Sequence, residues 1–429
     1  MKIIQWEKLS QAEKINCLMR PDSGAQQDRI GCDVQAIIDT VKAQGDKALL
    51  DYTAQFDKVD LTSLEVTQQE IEEGCAKVDS NAKQAIEYAI ARIKRYQQAT
   101  KPAAVSLDTN DGVICERVPQ PIRRVGLYVP GGSAPLVSTL MMLAIPAEIA
   151  GCRLKVMVTP PERDGSINPL LLLTANLCGI DKIYKVGGAQ AIAALAYGTQ
   201  TIPRVDKIFG PGNSYVTTAK QQVAMSSSGV TIDMPAGPSE VLVIADRGAN
   251  PSYIAADMLA QLEHGPDSQA LLVTDSETLA NAVNNTIDAQ RKTLSRQAIL
   301  DVSLKSARII VANNMQAVCE IANQYAAEHV IIHSDSLDPK TIDAAGSVFV
   351  GAYAPETLGD YVTGANHVLP TAGYARSVGG LSVSDFMHTV SIQTISRAGL
   401  AQLAESAITL AKLEGLDAHA NAVEIRLRG

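Results

Sequence analysis

Short runs of branched apolar residues alternate with helical stretches, and this alternation limits the folds open to the chain more than any other feature. Most of the runs meet a Gly- or Pro-rich turn, and β-branched residues dominate them, as is typical of buried strands. Strands alternating with helices predict βαβ units and parallel sheets. Two such series, and therefore two consecutive α/β domains, are predicted: the first comprises 125–129, 154–158, 182–186 and 207–209, the second 241–244, 270–273, 308–311, 330–332 and 348–350.

The segments flanking these series are of a different kind. Residues 1 to about 30 show no clear period and are interpreted as an arm. Apolar residues recur at helical spacing over 34–56 and 70–98, so this part is expected to be helix-rich. From Arg397 the chain is predicted to be helical, with Glu414 closing one helix and 415–417 starting another.

Charge and cysteine content limit the function classes. Lys and Arg number 37 against 46 Asp and Glu, a formal charge of -9, which argues against a nucleic-acid partner. The 7 cysteines are an odd number without a Cys-x-x-Cys pair, as expected of reduced thiols in the cytosol. The N-terminus lacks a signal-peptide core, and the longest apolar run, 169–180, is too short to span a bilayer. A cytoplasmic protein without a membrane partner is predicted.

One candidate metal-ligand pair stands at the end of a predicted helix. Asn250 and Pro251 provide a cap and a first helical residue, and the helix is expected to end at 265–266. Gln261 and His264 then lie one turn apart on one face, in the last helical turn. They can form a metal pair, although a His in that position is more often only a favourable cap partner.

Glycine-rich turns follow three strands of the first series, at 128–132, 186–190 and 209–213. The carboxyl ends of parallel strands are where nucleotides bind in such sheets. None of the turns has the Gly-x-Gly-x-x-Gly pattern; 210–215 comes nearest but has Tyr215 in the third position, so a standard Rossmann phosphate loop is not supported. Plain tight turns remain the alternative for any one of them.

Taken together, six motifs in this order resemble those of histidinol dehydrogenases. They are 126–135, 186–195, 209–213, 233–241, 263–268 and 359–371. The resemblance implies an α/β fold of two incomplete Rossmann-like domains with parallel sheets, an N-terminal arm and a helical C-terminal tail. The implied division is 1–24 for the arm, 25–107 with 238–381 for a domain holding zinc and catalytic residues, 108–237 for an NAD-binding domain, and 382–429 for a helical dimerisation tail.

The resemblance also implies an activity. Family members oxidise L-histidinol to L-histidine through L-histidinaldehyde in a zinc-dependent four-electron reaction that reduces two NAD, the last steps of L-histidine biosynthesis. They are homodimers in which arm and tail are exchanged and the tail's His completes the partner's zinc site. By that analogy His419 acts in the partner subunit's site.

Site residues follow from the motifs position by position. The implied zinc ligands are Gln261, His264, Asp360 and His419, and the acid/base pair is Glu328 and His329. The implied NAD contacts are Tyr128, Gln190 and Asn213. Substrate contacts are implied for Ser239, Gln261, His264, His329, Asp360, Glu414 and His419. Ala327 stands where the family usually has Pro, so the backbone before Glu328 is less restricted.

The chemistry of these residues agrees with such a reaction. Zinc has no redox chemistry, so the hydride requires a separate carrier. Two oxidations with a water addition between them need a base for the alcohol and a group that activates water, and we assign these roles to His329 and Glu328 respectively. Adjacent residues of an extended strand point to opposite sides, so both reach one substrate only if the chain turns there.

Three alternatives remain open from the sequence. A cysteine nucleophile is one route for aldehyde oxidation, and Cys115 and Cys152 lie in the cofactor half, without a neighbouring His or a motif. A zinc hydrolase uses similar ligands and needs no nucleotide. A non-catalytic nucleotide or metal sensor keeps the fold but needs no acid/base pair.

Overall fold

The computed structural model describes residues 1–20, 24–109, 111–131, 135–180, 182–234 and 237–428. The strands are β1 Lys2–Gln5, β2 Val105–Asp108, β3 Val113–Pro121, β4 Arg124–Tyr128, β5 Leu154–Thr159, β6 Lys182–Lys185, β7 Lys207–Phe209, β8 Thr231–Ile232, β9 Glu240–Ala245, β10 Gln269–Thr274, β11 Arg308–Val311, β12 His329–His333, β13 Ser347–Val350 and β14 Met387–Ile395. The helices are α1 Gln11–Leu18, α2 Gly24–Gln44, α3 Asp46–Tyr52, α4 Gln68–Ala76, α5 Ser80–Ala99, α6 Val137–Ala150, α7 Pro169–Leu177, α8 Gly188–Tyr197, α9 Ser214–Met225, α10 Pro251–Leu262, α11 Glu277–Gln290, α12 Gln297–Ser303, α13 Met315–Tyr325, α14 Glu356–Tyr361, α15 Arg397–Leu413 and α16 Asp417–Arg428.

Two parallel sheets form the framework, as the alternation predicts. The second series of strands builds a sheet in the order β1-β11-β10-β9-β12-β13, and the first series builds one in the order β6-β5-β4-β7-β8. All pairings within both sheets are parallel. If β9 to β13 and β4 to β8 are each numbered 1 to 5 along the chain, both sheets have the order 3-2-1-4-5, which is that of a doubly wound fold without its sixth strand. β1 is an additional strand at the edge of the β9–β13 sheet. The prediction of two incomplete Rossmann-like domains is confirmed.

The helices between 24 and 99 pack against the β4–β8 sheet. Val34 and Leu49 join a core with α8 and α9, and Ile90 and Ile93 join a core with α6 and α7. The apolar faces of α2 to α5 are therefore buried against the β4–β8 sheet. The expected division joined 25–107 to 238–381, so these contacts place the helices of the first range on the sheet of the other predicted domain.

The N-terminal residues are more ordered than their lack of period indicates. β1 pairs in parallel with β11, with Lys2 opposite Arg308, and Trp6 is buried beside the helix α13. Ser10 forms a capping box with Glu13 at the start of α1. A four-residue strand at a sheet edge is too short to give a periodic signal, so the sequence indicated only an arm.

A third, antiparallel sheet joins the C-terminal tail to the rest of the chain. β14 pairs with β3 along its whole length, and β3 pairs with β2. The helical prediction from Arg397 is confirmed by α15 and α16, but the tail begins with this strand. The tail and its sheet carry exposed apolar side chains, among them Ile392, Leu410, Leu413 and Ile425. Across the part of the chain that the structure describes, no helix is long and apolar enough to cross a bilayer.

Candidate active site

The helix α10 carries the first candidate ligands at its C-terminal end. Asn250 caps the helix by accepting from the backbone N–H of Ser252, and Pro251 is its first residue, as predicted. Gln261 lies in the last turn and is 1% exposed. The helix ends at Leu262, so His264 follows the C-cap instead of lying in the last turn, although its N–H still bonds to the Gln261 carbonyl at 3.3 Å. The helix therefore ends three residues before Gly265, the first residue of the Gly-Pro pair at which its end was predicted.

The chain turns just before β12, which brings Glu328 and His329 together. Ala326 has the left-handed conformation, with φ 54° and ψ 64°, and β12 starts only at His329. Glu328 Oε2 therefore lies 3.8 Å from His329 Nδ1, and both side chains are buried. The condition that the chain turns here, required for both groups to reach one substrate, is met.

Two further carboxyl groups reach His329 from α14. Glu356 Oε2 lies 3.8 Å from its Nδ1, and Asp360 Oδ1 lies 3.9 Å from its Nε2. His367 is held beside them, because its Nδ1 lies 2.9 Å from the carbonyl oxygen of Asp360. Sequence reasoning did not include Glu356 or His367 among the site residues. The signal for Glu356 was its spacing of four from Asp360, which places both on one helix face.

Burial governs the protonation of this cluster. It raises the pKa of Glu328 and of Glu356 well above the ordinary value for a carboxyl group, and it raises the pKa of Asp360 to about 7. It lowers the pKa of His329 to about 3 and that of His367 to about 4. Proximity to His264 lowers both imidazole pKa values further. The imidazoles are therefore neutral at neutral pH, and each retains a lone pair that accepts a proton or binds a metal.

Several buried polar atoms of the cluster have no hydrogen-bond partner within the described part of the chain. They are both amide atoms of Gln261, both ring nitrogens of His329 and Oε2 of Glu356. Burying a polar group without a partner is costly, so such atoms indicate a place where a ligand binds. Among the described residues, no group of three His, Cys, Asp or Glu side chains is positioned to hold a metal ion. A set of one Gln, one His and one Asp from this chain fits a metal only with a further ligand.

Three of the predicted residues lie elsewhere. Ser239 is half-buried directly before β9. Glu414 is the C-cap of α15 and His419 lies on α16, and both are exposed. No hydrogen bond or ion pair among the described residues joins their side chains to the His329 cluster. Within one chain, the structure brings together His264, Glu328, His329 and Asp360, and places Gln261 one turn before His264.

The predicted cofactor residues lie at the carboxyl ends of three strands of the β4–β8 sheet. Tyr128 ends β4, is buried, and its hydroxyl accepts from the N–H of Gly188 at 3.2 Å. Gln190 is buried in the first turn of α8, which follows β6. Asn213 caps α9 after β7 and is exposed. Residues 132–134 and 235–236 of the predicted motifs lie outside the described residues.

The turn after β7 requires glycine at position 210. Gly210 has φ 121°, and an added Cβ would collide with the carbonyl oxygen of Tyr128. Its N–H donates to Asp233 Oδ2 at 2.8 Å, and its carbonyl accepts from Lys220 Nζ at 2.8 Å. Lys220 and Asp233 in turn form a buried ion pair. These contacts therefore fix the conformation of the turn. It lies beside the neighbouring strands β4 and β7, between which the strand order of the sheet reverses.

No hydrogen bond found among the described residues joins a cysteine side chain to the cluster. Cys152 is buried in the core around α6, and burial raises its pKa to about 12. Cys115 lies on β3 opposite Gln393. All seven cysteines are free thiols, as predicted. A thiol with a raised pKa is a poor nucleophile, so Cys152 does not fit the cysteine route.

The fold and the site together define a class: an α/β protein with two incomplete Rossmann-like sheets and a buried cluster of carboxyl and imidazole groups. The comparisons with known proteins agree. The sequence model of the histidinol dehydrogenase family matches residues 20–427. The histidinol dehydrogenase of Legionella pneumophila strain Philadelphia 1 is 52% identical over 430 residues, covering 100% of this chain and 99% of its own. That of Xylella fastidiosa strain Temecula1 is 50% identical, with the same coverage.

A solved structure extends the match to the fold. The crystal structure of histidinol dehydrogenase from Elizabethkingia anophelis superposes with a TM-score of 0.94 at 42% identity, covering 100% of this chain and 97% of that one. The chain belongs to the histidinol dehydrogenase family and is an oxidoreductase. The resemblance stated from the six motifs is confirmed.

Proposed function

We propose that this chain oxidises L-histidinol to L-histidine in two NAD-dependent steps with L-histidinaldehyde between them, and that the reaction requires zinc. The observation that carries the proposal is the buried His329, which has three carboxyl groups within 4 Å and whose ring nitrogens have no hydrogen-bond partner in the described ranges. The names of the relatives support the substrate and the place in histidine biosynthesis. The protein acts in the cytoplasm, without a nucleic-acid or membrane partner.

His329 takes the proton of the substrate hydroxyl. An imidazole must be neutral before it accepts a proton, and burial keeps His329 neutral because it lowers the pKa to about 3. Glu328, directly beside it, takes a proton in its ionised form from the water that adds to the aldehyde, and its raised pKa makes that carboxylate a stronger base than an ordinary one. Glu356 and Asp360 face the same imidazole and stabilise its protonated form after each proton transfer.

Gln261, His264 and Asp360 would hold zinc together with His419 of the partner subunit. The amide of Gln261, which no described residue hydrogen-bonds, and the carboxyl groups buried around His329 fit a divalent cation. When bound, zinc supplies an electrophile that holds and polarises the substrate. Ser239 and Glu414 contact the substrate, Glu414 from the partner subunit. Such a homodimer agrees with the exposed apolar side chains of the tail.

NAD would bind across the turns of the β4–β8 sheet, next to Tyr128, Gln190 and Asn213. When bound, it accepts the hydride in each step. The edge between β4 and β7 is the point where the strand order reverses, which is the usual ligand position in open parallel sheets.

Replacement of Gly210 by Ala tests this cofactor site. Because a Cβ there meets the Tyr128 carbonyl, the turn must move, and we expect the dissociation constant for NAD to rise at least about tenfold. Isothermal titration with NAD measures it. Gly179→Ala is the matched control: φ is also positive, at 66°, but the added Cβ meets no atom within 4 Å. Unchanged NAD affinity in Gly210→Ala would place the cofactor elsewhere.

The stoichiometry of NADH formed per L-histidinol consumed tests the function as a whole. We expect two NADH per substrate for zinc-loaded protein, loss of turnover after chelation, and recovery with zinc. One NADH with released aldehyde would retain the alcohol step and contradict the role of Glu328. Turnover without NAD would favour a zinc hydrolase, and complete inactivity of zinc-loaded protein would favour a sensor.

A further inference from the structure

Arg20, the last described residue of the N-terminal segment, is paired with Glu240 at the start of β9. Its Nε donates to Oε1 of Glu240 at 2.5 Å, and its Nη2 donates to Oε2 at 2.8 Å. The Glu240 side chain is only 1% exposed and that of Arg20 is 20% exposed. A buried carboxylate needs a charged partner, and a bidentate hydrogen-bonded contact fixes the orientation of both groups.

This ion pair also holds the turn that precedes Glu328. Arg20 Nη2 donates to the carbonyl oxygens of Tyr325 at 2.9 Å and Ala326 at 3.4 Å, and the guanidinium lies 4.1 Å above the Tyr325 ring. Ala326 has φ 54°, a conformation that an alanine keeps only when its surroundings impose it. The position of the next residues along the chain therefore depends on Arg20.

Glu240 contacts the Glu328 side chain directly. The backbone N–H of Glu240 donates to Oε2 of Glu328 at 2.9 Å, and this is the oxygen that faces His329. On its other side, Glu240 Oε1 accepts from the N–H of Ala372 at 3.3 Å, and Ala372 also has φ 54°. Two of the three non-glycine residues with positive φ in the described ranges thus bond to this ion pair; the third is Lys58.

We propose that Arg20 and Glu240 are positioning residues for Glu328, which they hold at the distance from His329 that water activation requires. The inference rests on the proposed role of Glu328. In the step concerned, water and the aldehyde react with NAD to give the carboxylic acid, NADH and a proton. The water oxygen bonds to the carbonyl carbon, one water proton passes to Glu328, and the hydride of the hydrate passes to NAD.

The two directions open to L-histidinaldehyde separate this role from a general structural one. Its oxidation by NAD requires water activation, whereas its reduction by NADH and a proton to L-histidinol does not. For Arg20→Met in the zinc-loaded enzyme, we expect kcat for aldehyde oxidation to fall by about 10-fold to 100-fold, while kcat for aldehyde reduction changes less than roughly threefold. Arg20→Lys keeps the charge but loses one of the two hydrogen bonds to Glu240. Its kcat for aldehyde oxidation is expected to lie between those of Arg20→Met and the wild type.

Arg308→Met is the matched control for loosening of the N-terminal segment. Arg308 donates to the carbonyl oxygens of Cys17 and Met19, the latter at 3.1 Å, and so anchors the same segment without contacting Glu240. We expect Arg308→Met to leave the ratio of kcat for aldehyde oxidation to kcat for aldehyde reduction unchanged. The double variant Arg20→Met/Glu240→Gln removes both charges, so it avoids an unpaired buried carboxylate should Arg20→Met fail to fold.

Equal losses in both directions for the Arg20 and double variants, or the same ratio in Arg308→Met as in Arg20→Met, would overturn the inference. Glu328→Gln is measured alongside. If that variant oxidises aldehyde normally, the proposed role of Glu328 fails and the inference fails with it. If Glu328→Gln loses oxidation selectively and the Arg20 variants do not, only the positioning role fails.

Discussion

The His329→Asn variant is expected to lose between about 10² and 10⁴ in kcat for L-histidinol oxidation, the range that removal of a general base produces. Asn retains a polar side chain of similar reach but accepts no proton at neutral pH. Neither ring nitrogen of His329 has a hydrogen-bond partner among the residues that the structure describes, so little binding within the protein is lost with the ring. We therefore expect KM for L-histidinol to change much less than kcat.

His333→Asn is the control for this variant. His333 lies at the other end of the same strand with nearly the same exposure, 6% against 5%, but its Nε2 is bonded to Asp257 at 3.0 Å. Its replacement is expected to cost roughly 1–3 kcal/mol in the free energy of unfolding without a comparable loss of kcat. If His329→Asn kept kcat within a few-fold of His333→Asn, the base would have to be another group of the cluster.

Heterodimers that carry one defect per subunit test whether His419 serves the partner's site. Gln261→Ala and His419→Ala homodimers are each expected to lose at least about 100-fold in activity, because each lacks a proposed zinc ligand. In a heterodimer of the two, purified with different tags, one site combines intact Gln261 with intact His419. We expect it to regain about half of the wild-type activity.

The geometry of the single chain motivates this expectation. His419 and Glu414 are exposed, whereas the cluster around His329 is buried, and no three His, Cys, Asp or Glu side chains of the described residues are placed to hold a metal ion. An inactive heterodimer would assign His419 to its own subunit or exclude it from the site. Zinc content per dimer, measured on the same preparations, distinguishes lost metal from lost activity alone.

Most strands of the two parallel sheets were predictable because they are buried on both faces, whereas β1 and β8, which are partly exposed, were not predicted. β9 and β10 are buried along their whole length, which requires continuous runs of apolar residues. β14 was not predicted, since it is exposed along nearly all of its length and its sequence mixes polar and apolar residues. The packing of α2 to α5 on the β4–β8 sheet was equally inaccessible, because an amphipathic pattern shows that a face is buried but not against which sheet.

The site was predictable where a motif carried it and not where only tertiary contacts do. Glu328 and His329 were found by resemblance, and their convergence depends on the left-handed Ala326, which no local signal announces. Glu356 shares a helix face with Asp360 but belonged to no quoted motif. Arg20 is more than 200 residues from Glu240 in sequence, and a lone Arg in a non-periodic segment gives no indication of its partner.

The order of the two parallel sheets along the chain has a consequence for its synthesis. The strands β4 to β8 lie between 124 and 232, whereas β1 pairs with β11, with Lys2 opposite Arg308. On the ribosome the β4–β8 sheet can form first, while the initial strand waits without its neighbour until most of the polypeptide has emerged. Arg20 can bond to Glu240 and to the carbonyl oxygen of Ala326 only after both have emerged, so the contacts that surround Glu328 form late in the synthesis of the chain.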